Sequence, residues 1–306
     1  MPVPRGPSDP ECLAMVHRLD LVDVFGTRPF SGNPLAVVTD ATDLDTDDML
    51  AITRWLNLSE TTFLLPPTRP EADYRVRIFT LSGELPFAGH PTLGTCHTWL
   101  TQNGRPRDPR RIVQECGAGL VEIRRGTDGG LAFAAPPLLR SGKPTDAELD
   151  EALDLLGIGR DAVVDARWID NGPGWLGIML GSAEAVLALE PRRGHPRKID
   201  VGVVGAHPKG AEAAFELRAF FSDHRGLIVE DPVTGSLNAS VAGWLYDTGR
   251  ANGPYRAAQG TRLGRAGRVD VDRDGRGRIW IGGSTRTMVE GRTVFPLVSA
   301  RANRAA

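Results

Sequence analysis

One repeated segment constrains this chain more than anything else in it. His90-Pro91-Thr92-Leu93-Gly94-Thr95 matches Asp231-Pro232-Val233-Thr234-Gly235-Ser236 position for position: an ionisable residue, Pro, two residues, Gly and a hydroxyl. The separation is 231 − 90 = 141 residues. Upstream, Tyr74-Arg75-Val76-Arg77-Ile78-Phe79 falls on Phe215-Glu216-Leu217-Arg218-Ala219-Phe220 at the same offset. A spacing held without a gap across both segments points to a duplication, although few positions are identical. At 306 residues the chain exceeds the usual length of one domain, so two domains are expected.

The flanking patterns are strand-rich. Residues 16–25, 35–38, 59–65 and 74–80 read as strands, the last with Tyr74, Val76 and Ile78 alternating against Arg75 and Arg77. Residues 46–56 have helical spacing, with Met49, Leu50, Ile52, Trp55 and Leu56 apolar and Thr46 as expected N-cap. In the second half, 175–180 and 215–221 read as strands and 183–189 as a short helix; 269–272 and 278–281 form a hairpin. The stretches after Pro91 and Pro232 read as helices with Pro near the first helical position. The second has almost no charge before Asp247, so it should be enclosed rather than lie on a surface. A sheet curled around one enclosed helix, once per repeat, follows.

If the two helix starts meet between the domains, their free N–H groups and dipole ends form an anion site. A substrate carboxylate is the obvious occupant. Gly89, Gly94 and Gly235 would let the main chain approach closely, and Ser236 could add a hydroxyl. Taken in isolation each residue has a plainer reading: Glu60 as a solvated surface carboxylate, His90 as a capping or core residue, Asp231 as a helix-entry carboxylate.

Composition excludes several other classes. A formal net charge of −2 without a long basic run argues against nucleic acid or an anionic membrane as partner. No stretch approaches the ~18 apolar residues that span a bilayer, and the N-terminus lacks a signal-peptide core. Three irregularly spaced cysteines, Cys12, Cys96 and Cys116, suggest neither a disulfide framework nor a thiolate metal site. A soluble cytoplasmic protein is expected. Residues 1–14 read as a disordered extension, with Met15 as an alternative start.

Residues 84–95 (ELPFAGHPTLGT) and 230–236 (EDPVTGS), with VDVFGTRPFSGNPLAVV at 22–38 and NLSETTFLL at 57–65, resemble the PhzF family of phenazine-biosynthesis-like proteins. The resemblance continues through QGTRLGRAGRV at 259–269 and GGSTRTMVEG at 282–291, and so covers nearly everything beyond residue 15. It departs at Gly264-Arg265-Ala266-Gly267, where the family often has Gly-Arg-Pro-Ser.

The resemblance implies the α+β fold of diaminopimelate epimerase. Two similar, pseudo-symmetric domains each wrap a barrel-like, mostly antiparallel sheet around a central helix. The domains are expected at 15–135 and 136–290, with 291–303 packing back on the first. It further implies isomerisation of dihydro-hydroxyanthranilate or a similar small carboxylate-bearing substrate, no cofactor or metal, and a homodimer. By resemblance Glu60 is the general acid/base, and His90 and Asp231 assist proton transfer or bind the amino group. Gly89, Gly235 and Ser236 hold the carboxylate.

A carboxylate in a dry site can take up and return a proton near neutrality, and Glu60 lies just inside the apolar TTFLL strand. Glu84 reads as a structural charge. The related epimerases use two thiols; here the matching positions carry none, and Cys96 lies almost two turns inside its helix as a core residue. The alternatives are an amino acid epimerase or racemase, and a non-catalytic binding protein that keeps the fold. His195, His207 and His224 lack zinc-ligand spacing. Gly202-Val203-Val204-Gly205 lacks the third Gly of a dinucleotide fingerprint. Trp55, Trp99 and Trp244 read as core. Asn171-Gly172-Pro173-Gly174-Trp175 precedes a strand and has two readings, a wall of the pocket or, preferred, a plain turn.

Overall fold

The computed structural model describes residues 15–127, 129–223 and 225–295, with side chains from 16 to 293. The extension at 1–14, His224 and residues 296–303 lie outside the described residues.

The first half runs β1 (Met15–Val24), β2 (Asn33–Thr39), α1 (Thr46–Leu56), β3 (Glu60–Leu65), β4 (Tyr74–Thr80), β5 (Glu84–Leu85), α2 (Gly89–Thr101), β6 (Arg111–Cys116), β7 (Gly119–Arg125), β8 (Leu131–Ala134) and β9 (Arg140–Gly142). The second half runs α3 (Asp146–Leu156), β10 (Val163–Asp170), β11 (Trp175–Leu180), α4 (Ala183–Leu187), β12 (Asp200–Ala206), β13 (Phe215–Ser222), β14 (Ile228–Asp231), α5 (Gly235–Asp247), β15 (Tyr255–Gln259), β16 (Gly267–Arg273), β17 (Ile279–Gly283) and β18 (Thr285–Phe295). The chain is therefore a sheet-rich, mixed α+β protein.

Strand pairing follows one order twice. β1 pairs antiparallel with β2, and β10 with β11. β2 and β3 are parallel across α1, as β11 and β12 are across α4. The antiparallel pairs β3–β4 and β4–β5 are followed by a parallel β4–β6 pair; β12–β13, β13–β14 and β13–β15 repeat that sequence. Among the described residues three strand pairings join the runs: β9 with β10, β8 with β17, and β18 with β1 along the whole length of β1.

Alternation explains β4, whose Tyr74, Val76 and Ile78 are all about 1% exposed while Arg75 and Arg77 lie on the other face. α2 and α5 carry no charge before their last turns, and 11 residues of α5 are buried. α2 packs against β1, β2, β3, β8 and β18, α5 against β10, β16 and β17, and the helices touch each other. The largest core runs from Val22 to Ile281 through Leu93, Phe133, Leu237 and Trp244. Smaller cores lie under α1 (Met49, Phe63, Phe79) and under α3 and α4 (Leu153, Val186, Phe220).

Four local expectations need correction. The N-cap of α1 is Asp45, not Thr46: Asp45 accepts from the Asp48 N–H at 2.9 Å in a capping box, and the Thr46 hydroxyl accepts from Arg77. Trp55 is not core but 80% exposed, because Asp48, Met49, Ile52 and Thr53 form the buried arc of α1. Pro91 is the third residue of α2, whereas Pro232 stands before Thr234, the N-cap of α5. Finally, Gly89 opens α2 and Gly235 opens α5, so the helix starts are 235 − 89 = 146 residues apart, not 141. The chain between β13 and β14 is longer than that between β4 and β5, and the ungapped match ends there.

Candidate active site

Glu60 opens β3 and stands opposite Thr80. Two residues on and on the same face, the Thr62 hydroxyl accepts from Thr95 of α2 at 2.8 Å, so Glu60 faces the start of that helix. His90 is the second residue of α2, and its Nε2 lies 3.5 Å from Glu60 Oε2. Asp231 ends β14. One of its oxygens accepts from the Thr234 hydroxyl at 2.6 Å and the other from Asn33 Nδ2 at 3.0 Å.

Asn33, fully buried at the start of β2, connects the two halves of the cluster. Its Nδ2 also donates to the Val233 carbonyl at 3.0 Å and lies 3.4 Å from His90 Nδ1. Two oxygen acceptors at 3.0 Å fix the amide orientation, so the NH₂ group of Asn33 is what His90 Nδ1 meets at 3.4 Å. That neighbour favours the tautomer with the imidazole proton on Nε2, facing Glu60.

The turn that delivers Asn33 is held by Asp23, whose carboxylate accepts from the N–H groups of Ser31 and Gly32 at 3.1 and 2.8 Å. Behind Asp231, Gln259 donates to the Asp231 carbonyl and to the Thr234 hydroxyl and accepts from the Thr234 N–H and Asn238.

The electrostatics follow from dryness. Burial, and secondarily the charge of Asp231, hold the Glu60 carboxyl well above the ordinary carboxylate range. Burial pushes Asp231 up to about 6 against the lowering bonds from Thr234 and Asn33. Burial drives His90 down to about 3, so its ring is neutral under ordinary conditions. Glu60 Oε2 and His90 Nε2 are buried with no hydrogen-bond partner.

Gly89 and Gly235 meet back to back beside this cluster. A Cβ on Gly89 would lie 2.7 Å from the Gly235 Cα, and one on Gly235 would lie 2.8 Å from the Gly89 Cα. Neither N-cap side chain caps its helix. The first-turn N–H groups of α2 and α5 therefore converge on one junction, a site for an anionic oxygen. Ser236 adds a hydroxyl there. Its Oγ accepts from Trp175 Nε1 at 3.1 Å, which leaves its own proton to donate; its carbonyl accepts from Asn171 Nδ2 at 2.9 Å.

Asn33, Thr234, Gln259, Asn171 and Trp175 were not picked out as site residues. Asn33 and Trp175 sit in segments that carry a sequence signal, SGNP and NGPGW, but their partners lie far along the chain. Gly94 lies inside α2 against Leu35 rather than at the junction. Cys96 is buried in the core next to Tyr74. Glu84 pairs with Arg77 at 2.6 Å.

His207 pairs with Glu216 at 3.0 Å and His195 with Glu151 at 3.4 Å. Among the described residues no group of three or more His, Cys, Asp or Glu could hold a metal ion, and no helix is long and apolar enough to cross a membrane. Two surface cavities of about 470 and 1070 Å³ are lined by other residues.

A trans-2,3-dihydro-3-hydroxyanthranilate isomerase from Pseudomonas fluorescens is 33% identical over 92% of this chain and 100% of its own length. Antisense-enhancing sequence 1 of Schizosaccharomyces pombe is 33% identical over 90% of this chain and 98% of its own. Among solved structures, a predicted epimerase from Pseudomonas aeruginosa is 28% identical, with a TM-score of 0.74 over 90% of this chain and 99% of its own. The family model described as phenazine biosynthesis-like protein (PhzC-PhzF) matches residues 22–296, which include Glu60, His90, Asp231 and the glycine junction. The chain belongs to the phenazine biosynthesis-like, PhzC-PhzF family of isomerases.

Proposed function

We propose that this isomerase moves a proton within a small, carboxylate-bearing, amino acid-like substrate, and that trans-2,3-dihydro-3-hydroxyanthranilate, the substrate in the name of one relative, is the first compound to test. The observation that carries the reading is the facing pair of buried, unpartnered atoms, Glu60 Oε2 and His90 Nε2, 3.5 Å apart. A reacting C–H placed between Glu60 Oε2 and the glycine junction would give that oxygen its partner, and the ionised Glu60 would give His90 Nε2 its acceptor.

The substrate carboxylate sits on the N–H groups opened by Gly89 and Gly235 and on the Ser236 hydroxyl. Glu60, as carboxylate, takes the proton from the carbon bearing the substrate hydroxyl. The electron pair moves along the conjugated system, and the same carboxyl returns the proton to its far end. His90 donates from Nε2 to hold the ionised Glu60, and Asp231 sets the local charge. No electrons are gained or lost and no atoms enter or leave, so no cofactor is needed.

The same reading takes 15–135 and 136–290 as two copies of one unit, each closed around its own helix, α2 or α5. The twice-used order of strand pairings supports it. Assembly as a homodimer belongs to this reading too.

Proton NMR of the dihydro compound in D₂O tests the proposal. Loss of the diene signals with deuterium incorporation is expected for the wild type and not for Glu60→Gln. Turnover that survives in Glu60→Gln would remove Glu60 from its role. An unchanged substrate, beside a working isomerase as control, would reject this reaction.

A further inference from the structure

Glu60 has a counterpart that the mechanism leaves unused. It opens β3, the strand that runs parallel to β2 and antiparallel to β4, where it faces Thr80. Asp200 opens β12, which runs parallel to β11 and antiparallel to β13, where it faces Phe221. Two residues on, Gly202 lies against Leu237 of α5, just as Thr62 lies against Thr95 of α2. Asp200 therefore stands at the start of α5 as Glu60 stands at the start of α2, on the other side of the Gly89–Gly235 contact.

The side chain of Asp200 is only 8% exposed, and burial raises its pKa above the ordinary carboxylate value. Its surroundings form a built corner. Across the sheet it is level with Trp175, whose ring nitrogen holds Ser236 Oγ. A Cβ on Gly174 would come within 3.3 Å of Asp200 Oδ2, so the bare glycine keeps that side of the carboxylate open. Asp170, the other carboxylate of this corner, is committed to its own turn through the N–H groups of Gly172 and Gly174.

Asn171 carries the second observation. Its amide nitrogen is tied to the Ser236 carbonyl, which points Oδ1 away from the helix. That oxygen is buried, in a residue 8% exposed, and has no partner. An unpartnered buried acceptor is costly, so a donor is expected there when the site is occupied. Besides the Ser222 backbone, Asp200 is met by Lys198, whose Nζ lies 3.4 Å from Oδ2; that side chain is 73% exposed and free to leave.

We propose that Asn171 and Asp200 form a binding subsite for the ammonium group of the substrate, so that the amino acid-like molecule is held by its carboxylate at Gly89–Gly235–Ser236 and by its cation on the α5 side. The subsite rests on the carboxylate placement proposed above. It fixes which edge of the substrate is presented to Glu60, and so acts on specificity rather than on proton transfer.

Isothermal titration with three probes differing at one group separates the possibilities: cyclohexanecarboxylate and its trans-2-amino and trans-2-hydroxy derivatives. The wild type should bind the amino compound about tenfold more tightly than the unsubstituted acid. Asp200→Asn, isosteric and uncharged, should abolish that preference while leaving the affinity for cyclohexanecarboxylate unchanged. Asn171→Ala should reduce it in the same direction.

A preference that survives in Asp200→Asn, a loss shared equally by all three probes, a preference for the hydroxy compound alone, or no binding of any probe by the wild type overturns the subsite. Failure of the isomerase reading is seen separately, in the NMR assay: absent turnover with an intact amino preference would leave the subsite standing. Turnover indifferent to Asp200, but lost in Glu60→Gln, would leave the isomerase without it.

Discussion

Asp231 and Glu60 are two carboxyl groups in one dry junction, and each sets the charge the other can carry. In the proposed reaction Glu60 must be ionised to accept a proton, so activity is expected to rise as pH passes upward through its pKa, which burial and then the Asp231 charge hold high. Asp231, itself pushed up to about 6, loses that charge as pH falls. Asp231→Asn removes the repulsion at every pH. The expected outcome is an acid limb of kcat/KM displaced to lower pH, with a lower plateau because Thr234 loses its ionic acceptor. A limb that stays in place or moves to higher pH in the variant would disprove the coupling.

Glu60, His90 and Asp231 were legible in the sequence because each stands in a motif and each carries chemistry of its own. Asn33 was not, since its role consists wholly of joining His90 to Asp231 and Val233, partners 57 to 200 residues away. Gln259 and Trp175 escaped for the same reason: an amide or an indole shows its function only when its partner is known.

At the scale of elements, eight of the 18 described strands, β1–β4, β11, β13, β16 and β17, were legible in the sequence, β4 from its alternation, and the enclosed α5 from its lack of charge. The helix starts could not be read as well. Pro232 and Pro91 look equivalent in sequence, yet one precedes its helix and the other lies in the first turn. What fixes both starts is a tertiary contact, the meeting of Gly89 and Gly235, and no local rule encodes it.

That contact gives a test. In a helix Ala is ordinarily preferred to Gly by about 1 kcal/mol, so an unconstrained Gly235→Ala would stabilise the protein. Here the new methyl would lie 2.8 Å from the Gly89 Cα and 3.1 Å from the His90 N. Overpacking of this kind costs about 1–3 kcal/mol, and it would push apart the N–H groups proposed to hold the carboxylate. Urea unfolding should show a net loss, and the affinity for cyclohexanecarboxylate should fall with it. A gain in stability with unchanged binding would mean that the helix ends are not held against each other.

At the scale of the molecule, the 141-residue spacing follows the twice-used order of strand pairings only as far as β4 and β13, and it does not show how the two runs are joined. The joints are non-local. β8 pairs with β17, and the 26–31 loop donates to and accepts from Ala266. There the sequence departs from the family pattern: Gly267 lies so close to Val233 that a Cβ would come within 2.3 Å of its Cγ2. The longest joint is β18. From Thr285 to Phe295 it runs antiparallel beside β1, and the Phe25 N–H reaches back to the Ser284 carbonyl at 2.6 Å.

β1 is thus flanked by β2 on one side and β18 on the other, with its Val22 and Val24 buried in the main core. A chain ending at Ser284 would leave one edge of β1 unpaired along its length. It would also uncover α2 where β18 packs on it and remove Thr285 and Thr287, which hold the His97 ring. An unpaired edge beside exposed core invites intermolecular pairing.

The expected result is that truncation after Ser284 yields aggregated protein or a cooperative unfolding transition lost at ordinary temperature, whereas truncation after Phe295 leaves the transition close to that of the full chain. Circular dichroism melts of the two truncations decide it. Equal melts would show that the first half holds β1 without the C-terminal strand. Unequal ones would show that the fold, and with it the position of Asn33 at the end of the β1–β2 turn, is completed only by β18.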